Sequence, residues 1–304
     1  MIVSTHPHPR GPEPRAASPN RGVPLLFRGL ADDAAVFPPG NAPLAEALAA
    51  HRAHRAAWYG ELVGPLLVPV TELARAGGLL DPGERIEIGL VGERAALGGV
   101  LTALPHGFVL RRIESAVAKR GEDPLPGLGE FLTLLEAGTV PGATGYAEIP
   151  LTAGLLAALD GIAEARGRGI AVAPKFRTGG LAAELFPTPA ELAGVICACR
   201  DRGLAFQLTA GLHHAVRHGD PETGLTHHGF LNVLVATAIA ADGARPRAVA
   251  EVLSGTDPLP LVEAARARRD SERPLWTGFG TCSIQEPLLD LQKFGLLPAG
   301  GGDR

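Results

Sequence analysis

Residues 172–180 read VAPKFRTGG, residues 206–218 read FQLTAGLHHAVRH, and residues 226–232 read THHGFLN. The first two are short apolar runs that give way to polar residues and glycine at their C-terminal ends. Between them, from Thr188 to Arg202, apolar residues recur at helical spacing. A strand, a helix and a strand in that order make a parallel pair joined by a right-handed crossover. The fold then depends on how often this unit recurs on either side.

Upstream, candidate strands fall at Leu25–Arg28 or Ala34–Phe37, then Leu66–Val70, Arg85–Val91, Phe108–Ile113 and Gly145–Ile149; Pro274–Gly278 follows downstream. Amphipathic segments separate them, at Pro43–Tyr59, Thr71–Ala76, Glu93–Leu104, Leu128–Glu136 and Ala153–Arg166, and later at Gly229–Ala241 and Gln285–Phe294. With Ile170–Phe176 and Ala205–Thr209 this makes eight strand–helix units between Pro24 and residue 300, which predicts a single (β/α)8 TIM-type barrel, a fold of about 250 residues. A doubly wound sheet would carry a glycine fingerprint after its first strand, and none is present. Residues 242–273 hold additional helical patterns (Arg245–Leu253, Leu259–Arg269), read as an insertion in the barrel. Residues 1–23 contain five prolines and almost no aliphatic side chains, which predicts a flexible tail.

Composition excludes several classes. The chain is 46% hydrophobic and 20% charged, with a net charge of −4 and pI near 6.2. That balance gives no general attraction to nucleic acid or anionic lipid. No apolar run approaches the roughly 20 residues that cross a bilayer, and no secretory signal pattern opens the chain, so a cytoplasmic location is expected. Cys197 and Cys199 are two apart on a helix and face different ways, which suits buried thiols better than a zinc pair. A homo-oligomer is left open.

In a barrel of this kind the active site lies at the C-terminal ends of the strands, so polar residues there become the candidates. Lys175 is one of three lysines in a chain where arginine is about eight times as frequent. Its retention at a strand end suggests an amine that must lose its proton, as Schiff-base nucleophile or general base; the plainer reading is a pair with a carboxylate such as Glu148. Arg177, on the same side of the strand, joins Thr178 and two glycines in a turn suited to a carboxylate or phosphate.

Half of the ten histidines fall between His213 and His228. His213 and His214, after Thr209, suit proton donor and acceptor roles. The alternative is a divalent metal on His214, His218 and His228 with a carboxylate, although this spacing matches no established ligand motif; no other cofactor is indicated. Asn232, at a helix start, and Gly280, Thr281 and Ser283 of GFGTCSIQEP are candidate substrate contacts, the latter as a glycine-lined anion loop. Cys282 in that loop would need a base such as His213 or His214 to act as nucleophile, and a small buried thiol is the plainer reading. Asp32 and Asp33 are read as loop acids that ligate, orient a histidine or are solvated. His51 and His54 are read as a solvated helix face.

The strings KFRTGG, TAGLHH and HGFLN resemble those of an uncharacterised bacterial protein family, a likeness that spans most of the chain after the tail and implies no mechanism. Lys175 on the sixth candidate strand, followed by Phe176-Arg177-Thr178-Gly179, also resembles class I aldolases of the deoxyribose-phosphate type. That likeness implies a (β/α)8 barrel with a Schiff-base lysine on the sixth strand. Those aldolases carry a further lysine on the next strand, where this chain has Gln207 and Thr209. The leading expectation is an enzyme of lyase or isomerase type acting on a small carboxylated or phosphorylated metabolite. In it Lys175, His213, His214 and Glu148 are catalytic, and Arg177, Thr178, Thr209, Asn232, Gly280, Thr281 and Ser283 bind the substrate. The rivals are a metal-dependent hydrolase or lyase and a non-catalytic binding protein on a barrel scaffold.

Overall fold

A computed structural model describes residues 22–101, 104–138 and 142–299. Eight parallel strands close into a barrel: β1 (Ala31–Asp33), β2 (Val63–Pro69), β3 (Ile86–Val91), β4 (Phe108–Ala116), β5 (Thr144–Glu148), β6 (Val172–Arg177), β7 (Phe206–Thr209) and, after a two-stranded hairpin β8 (His218–Gly219) and β9 (Thr226–His227), β10 (Trp276–Thr281). The strands are joined in chain order around the barrel, and β10 pairs with both β7 and β1 to close it. This is the α/β TIM-type architecture expected from the strand count.

Helices alternate with the strands: α1 (Leu44–Ala56), α2 (Leu73–Gly77), α3 (Arg94–Leu101), α4 (Pro124–Ala137), α5 (Leu155–Gly167), α6 (Pro189–Asp201), α7 (Phe230–Ala241), α8 (Pro246–Ser254), α9 (Pro258–Ala267) and α10 (Gln285–Lys293). The start of α6 follows from sequence alone. Thr188 caps the helix through the Glu191 amide, Glu191 returns the bond to the Thr188 amide, and Pro189 stands at N1 where its missing N–H is not needed. Helix α7 is apolar all round and buried over nearly its whole length, because it lies between the barrel and the helices of the 242–273 segment, α8 and α9. Phe230 of α7 stacks on Phe279 of β10 with ring centroids 5.8 Å apart.

Two sequence expectations are corrected at the start of the chain. The first strand is neither 25–28 nor 34–37. Residues 25–27 form a 3-10 turn, and the strand is Ala31–Asp33, buried throughout. Asp32 and Asp33 are therefore strand residues inside the protein. A three-residue strand carrying two acids has no apolar alternation to betray it. The tail expected over 1–23 lies outside the described residues except for Gly22 and Val23, and Val23 is buried against the core.

Candidate active site

The barrel interior is filled by charge where most such barrels stack branched aliphatic side chains. Lys175 of β6 and Glu114 of β4 are 3% and 2% exposed, and the ammonium donates directly to Glu114 Oε2. The sequence reading pairs Lys175 with Glu148, its neighbour across the β5–β6 register. In the structure Glu148 instead accepts from Arg177 Nε at 2.9 Å, and Lys175 reaches past β5 to Glu114. The pleat explains this: residues two apart share a face, so Lys175 lies deep in the interior and Arg177 at the rim, where it is 41% exposed.

Below this pair sits a second one. Arg112 of β4 donates to Asp32 Oδ1 at 2.9 Å and lies over the Tyr146 ring, 5.1 Å from its centroid. Gln207 Nε2 donates to Asp32 Oδ2. Burial pushes the Asp32 carboxyl up to about 7, against the pull of Arg112 and Lys175. Gly64 on β2 faces the same carboxylate so closely that an added Cβ would lie 2.0 Å from Asp32 Oδ1. At the N-terminal end of the barrel, Arg273 donates to the carbonyls of Leu26, Arg28, Gly29, Trp276 and Thr277 and closes the bottom. Beside β1, Asp33 Oδ2 accepts from His51 Nδ1 at 3.0 Å, and both are buried. His51 is therefore not on a solvated helix face: one turn of α1 presents it to the acid that β1 carries.

Two cavities of about 590 and 370 Å³ open at the C-terminal mouth and share Ala118, Lys119, Glu148 and Arg177. The larger reaches Glu114 and Ser115 of β4, and the smaller adds Arg120, Glu184 and Phe186. Glu114 thus touches the mouth with one side and Lys175 with the other, and its Oε1 and the Ser115 hydroxyl are buried without a hydrogen-bond partner in the protein. Lys119, Arg120 and Arg177 supply cations around the opening. Arg112, Glu114 and Gln207 are residues to which the sequence reading assigned no role, and Asp32 was read as a loop acid. The available signal was the spacing of Arg112 and Glu114, two apart at the end of β4, which puts both on one face of a strand read as ending at Ile113.

The histidine segment is built differently. After β7 the backbone turns through two left-handed residues, Ala210 (φ 63°) and Gly211 (φ 76°). Thr178 ties this turn to the end of β6 by donating to the Ala210 carbonyl at 2.6 Å. A Cβ on Gly211 would lie 2.8 Å from the Thr178 carbonyl oxygen, so the TGG and AG strings meet as backbone against backbone. Thr178 is thus committed to holding two loops together, and the Thr209 carbonyl accepts from the Thr178 amide at 2.9 Å.

The loop then docks on α10. His213 Nδ1 lies 2.8 Å from Glu286 Oε2, His214 Nδ1 lies 3.4 Å from Asp290 Oδ2, and the Ala215 amide donates to Asp290 Oδ2. The hairpin pairs His218 directly with His227, whose rings stack at 5.3 Å, and His214 meets His218 edge-on at 4.8 Å. His228 points away, with Nε2 2.7 Å from the Pro187 carbonyl, and burial lowers its pKa to about 4. His214, His218 and His228 therefore do not converge. Among the described residues no group of three or more His, Cys, Asp or Glu side chains is placed to hold a metal ion.

The Cys282 side chain first, and then the Glu286 carboxylate bonded to the ring, raise the His213 pKa to about 10. The raised value fixes the sign of a stability effect: the contribution is complete below the ordinary 6.5 and is lost as pH rises toward 10. His213→Gln is expected to lower the urea midpoint at pH 6 and to leave it close to wild type above pH 10. Equal differences at both pH values would refute the assignment.

Four expected substrate contacts, Asn232, Gly280, Thr281 and Ser283, are otherwise engaged. Asn232 accepts from the Arg217 amide and donates to the Val252 and Gly255 carbonyls, so its amide is consumed in joining the loop to α8. Gly278 and Gly280 belong to β10 and not to a loop. Gly278 (φ 139°) lies so close to β1 that a Cβ would be 2.5 Å from the Leu30 carbonyl oxygen. Thr281 Oγ1 is bonded to the Ser283 backbone, and Ser283 Oγ accepts from the Glu286 amide at the start of α10. The GFGTCSIQEP segment is a strand end running into a helix cap, and strand pairing has taken the donors an anion would need. No protein-family model and no curated protein matches this chain. No helix among the described residues is long and apolar enough to cross a membrane.

Proposed function

We propose that the protein is a cytoplasmic enzyme of lyase or isomerase type that uses Lys175 on a small carbonyl metabolite bearing a carboxylate or phosphate. The observation that carries this reading is the buried Lys175–Glu114 pair, with Glu114 lining the mouth cavity. A lysine in that position has its proton acceptor built in. In the reaction one Nζ proton passes to Glu114, which frees the amine lone pair. The amine then adds to the substrate carbonyl carbon, and Glu114 returns its proton to the oxygen that leaves as water. The iminium so formed draws electrons from the adjacent carbon, which lets a C–C or C–H bond break there.

Arg177, Lys119 and Arg120 at the mouth are suited to the anionic end of the substrate. Arg177 is the first of these, since its exposure lets it exchange Glu148 for an incoming carboxylate or phosphate. His213 and His214, bound to α10, are left out of the lysine chemistry, and Glu114 takes the proton role. The resemblance to class I aldolases supports the lysine on the sixth strand. Where those aldolases have a second lysine, Gln207 instead holds Asp32, so Arg112 becomes the interior cation.

Sodium borohydride reduction in the presence of small aldehydes and keto acids tests the covalent step. A reduced adduct on Lys175, absent in Glu114→Gln or slowed at least tenfold, is expected by mass spectrometry. No adduct on Lys175 with any carbonyl compound would remove Schiff-base chemistry.

A further inference from the structure

The smaller of the two mouth cavities is not used by the lysine chemistry. Apolar side chains from two loops line it: Ile149, Pro150 and Leu151 after β5, and Leu185, Phe186 and Pro187 before α6. The second loop is held from behind. The Phe186 ring meets His227 of β9 edge-on at 4.9 Å, and His227 is stacked on His218 at 5.3 Å. His228 Nε2 donates to the Pro187 carbonyl at 2.7 Å. Leu185 packs so closely on Gly180 that an added Cβ would lie 2.4 Å from Leu185 Cδ1. The histidine hairpin and the glycine pair, which the lysine chemistry leaves out, thus shape one wall of this cavity. Its carboxylates are mostly engaged: Glu191 accepts from the Thr188 amide and hydroxyl at 2.8 Å each, and Glu148 from Arg177 at 2.9 Å, which leaves the exposed Glu184. Lys119 and Arg120 also line it, and among the described residues neither side chain is in an ion pair.

We propose that this cavity selects the substrate by its side chain, taking an apolar group of phenyl size on a molecule whose carboxylate is held by Arg177 at the wall the two cavities share. The inference rests on the anion role given to Arg177 above. At about 370 Å³ the cavity lies at the small end of the roughly 300–1,000 Å³ range of ligand pockets, which suits a single ring and its linker. Burying that ring against Ile149, Leu151 and Phe186 removes apolar surface from water on both partners, and the fixed Phe186 ring offers an aromatic contact. The larger cavity reaches Glu114 and shares Glu148 and Arg177 with the smaller one. Along the mouth the order is therefore carbonyl at Glu114, carboxylate at Arg177 and apolar group beyond it. The substrate class is an oxo acid that carries an aromatic or similarly sized apolar substituent on the far side of its carboxylate.

The pocket is tested by titrating 3-phenylpropionate, acetate and 3-phenylpropan-1-ol into the full chain and following amide chemical shifts by NMR. None of the three has an aldehyde or ketone group, so the outcome does not depend on Lys175 and is separate from the borohydride result. The expected result is that 3-phenylpropionate binds about tenfold or more tightly than acetate and shifts the amides of Ile149, Leu151, Leu185 and Phe186. Phe186→Ala should weaken 3-phenylpropionate by about tenfold and leave acetate unchanged. Leu151→Asn, on the opposite loop, should do the same and covers the case of a Phe186 variant that loses its native spectrum. Arg177→Gln should weaken both acids by a similar factor and leave the alcohol unchanged. Equal affinities for 3-phenylpropionate and acetate, or shifts confined to residues away from the smaller cavity, overturn the proposal. An alcohol that binds as tightly as the acid overturns the anion role of Arg177, and with it both this inference and the reading it rests on.

Discussion

Lys175→Met is expected to lower the unfolding free energy by about 3–5 kcal/mol, the usual consequence of leaving one buried charge without its partner. Glu114 would then be a carboxylate almost without solvent, with Oε1 already lacking a hydrogen bond. It would either lose its charge or pull the top of the barrel open to water. Replacing Glu114 by Leu in the same chain removes that burden, so Lys175→Met/Glu114→Leu should recover most of the loss. Urea unfolding of the two single variants and the double variant gives the coupling directly. Additive single effects would show that the two groups do not depend on each other for their burial. The double variant also separates stability from chemistry, since it should be folded and yet give no borohydride adduct.

The second large effect concerns the deeper pair and depends on pH. Arg112→Met should destabilise the protein by about 3–5 kcal/mol above neutral pH and by far less near pH 5. Asp32 has a folded pKa of about 7 against an ordinary 3.8, with burial as the main cause. Its sign is opposite to that of a salt-bridged surface acid. Between 3.8 and about 7 the folded protein keeps a proton that the unfolded chain releases, so stability falls as pH rises through that window. Removing Arg112 takes away the nearest cation and moves the folded pKa higher still. The fall then continues beyond 7 in the variant after it has levelled in the wild type. Denaturant titrations at pH 5, 7 and 9 check this, and a penalty independent of pH would mean that Asp32 is not the group responsible.

Both effects arise from residues that the linear pattern displayed unevenly. Lys175 stood out by rarity, and its place at the end of the sixth strand was legible because VAPKF is a short apolar run followed by glycine. Glu114 was visible only as one acid among several strand ends. Its partnership with Lys175 spans 61 residues of sequence and is a matter of barrel curvature, which brings strands on either side of β5 within reach of one side chain. Asp32 was misplaced because a strand of three residues carries no period. His213 and His214 drew attention as a cluster, yet the turn at Ala210–Gly211 sends them to α10, and their clustering reflects a docked loop.

The sequence by itself determined the count of eight strand–helix units and the places of the last seven strands, the ends of most helices and the glycine joints between loops. These follow from local rules, in which each residue's neighbours along the chain set its period, its cap or its permitted φ. Only the tertiary structure decided which polar residues face one another. Closure of the barrel superimposes side chains from β1, β4, β6 and β7 along one axis, and a charge buried there must find its counter-charge across the barrel, whichever strand carries it. For that reason Lys175 belongs with Glu114, and Arg112 with Asp32.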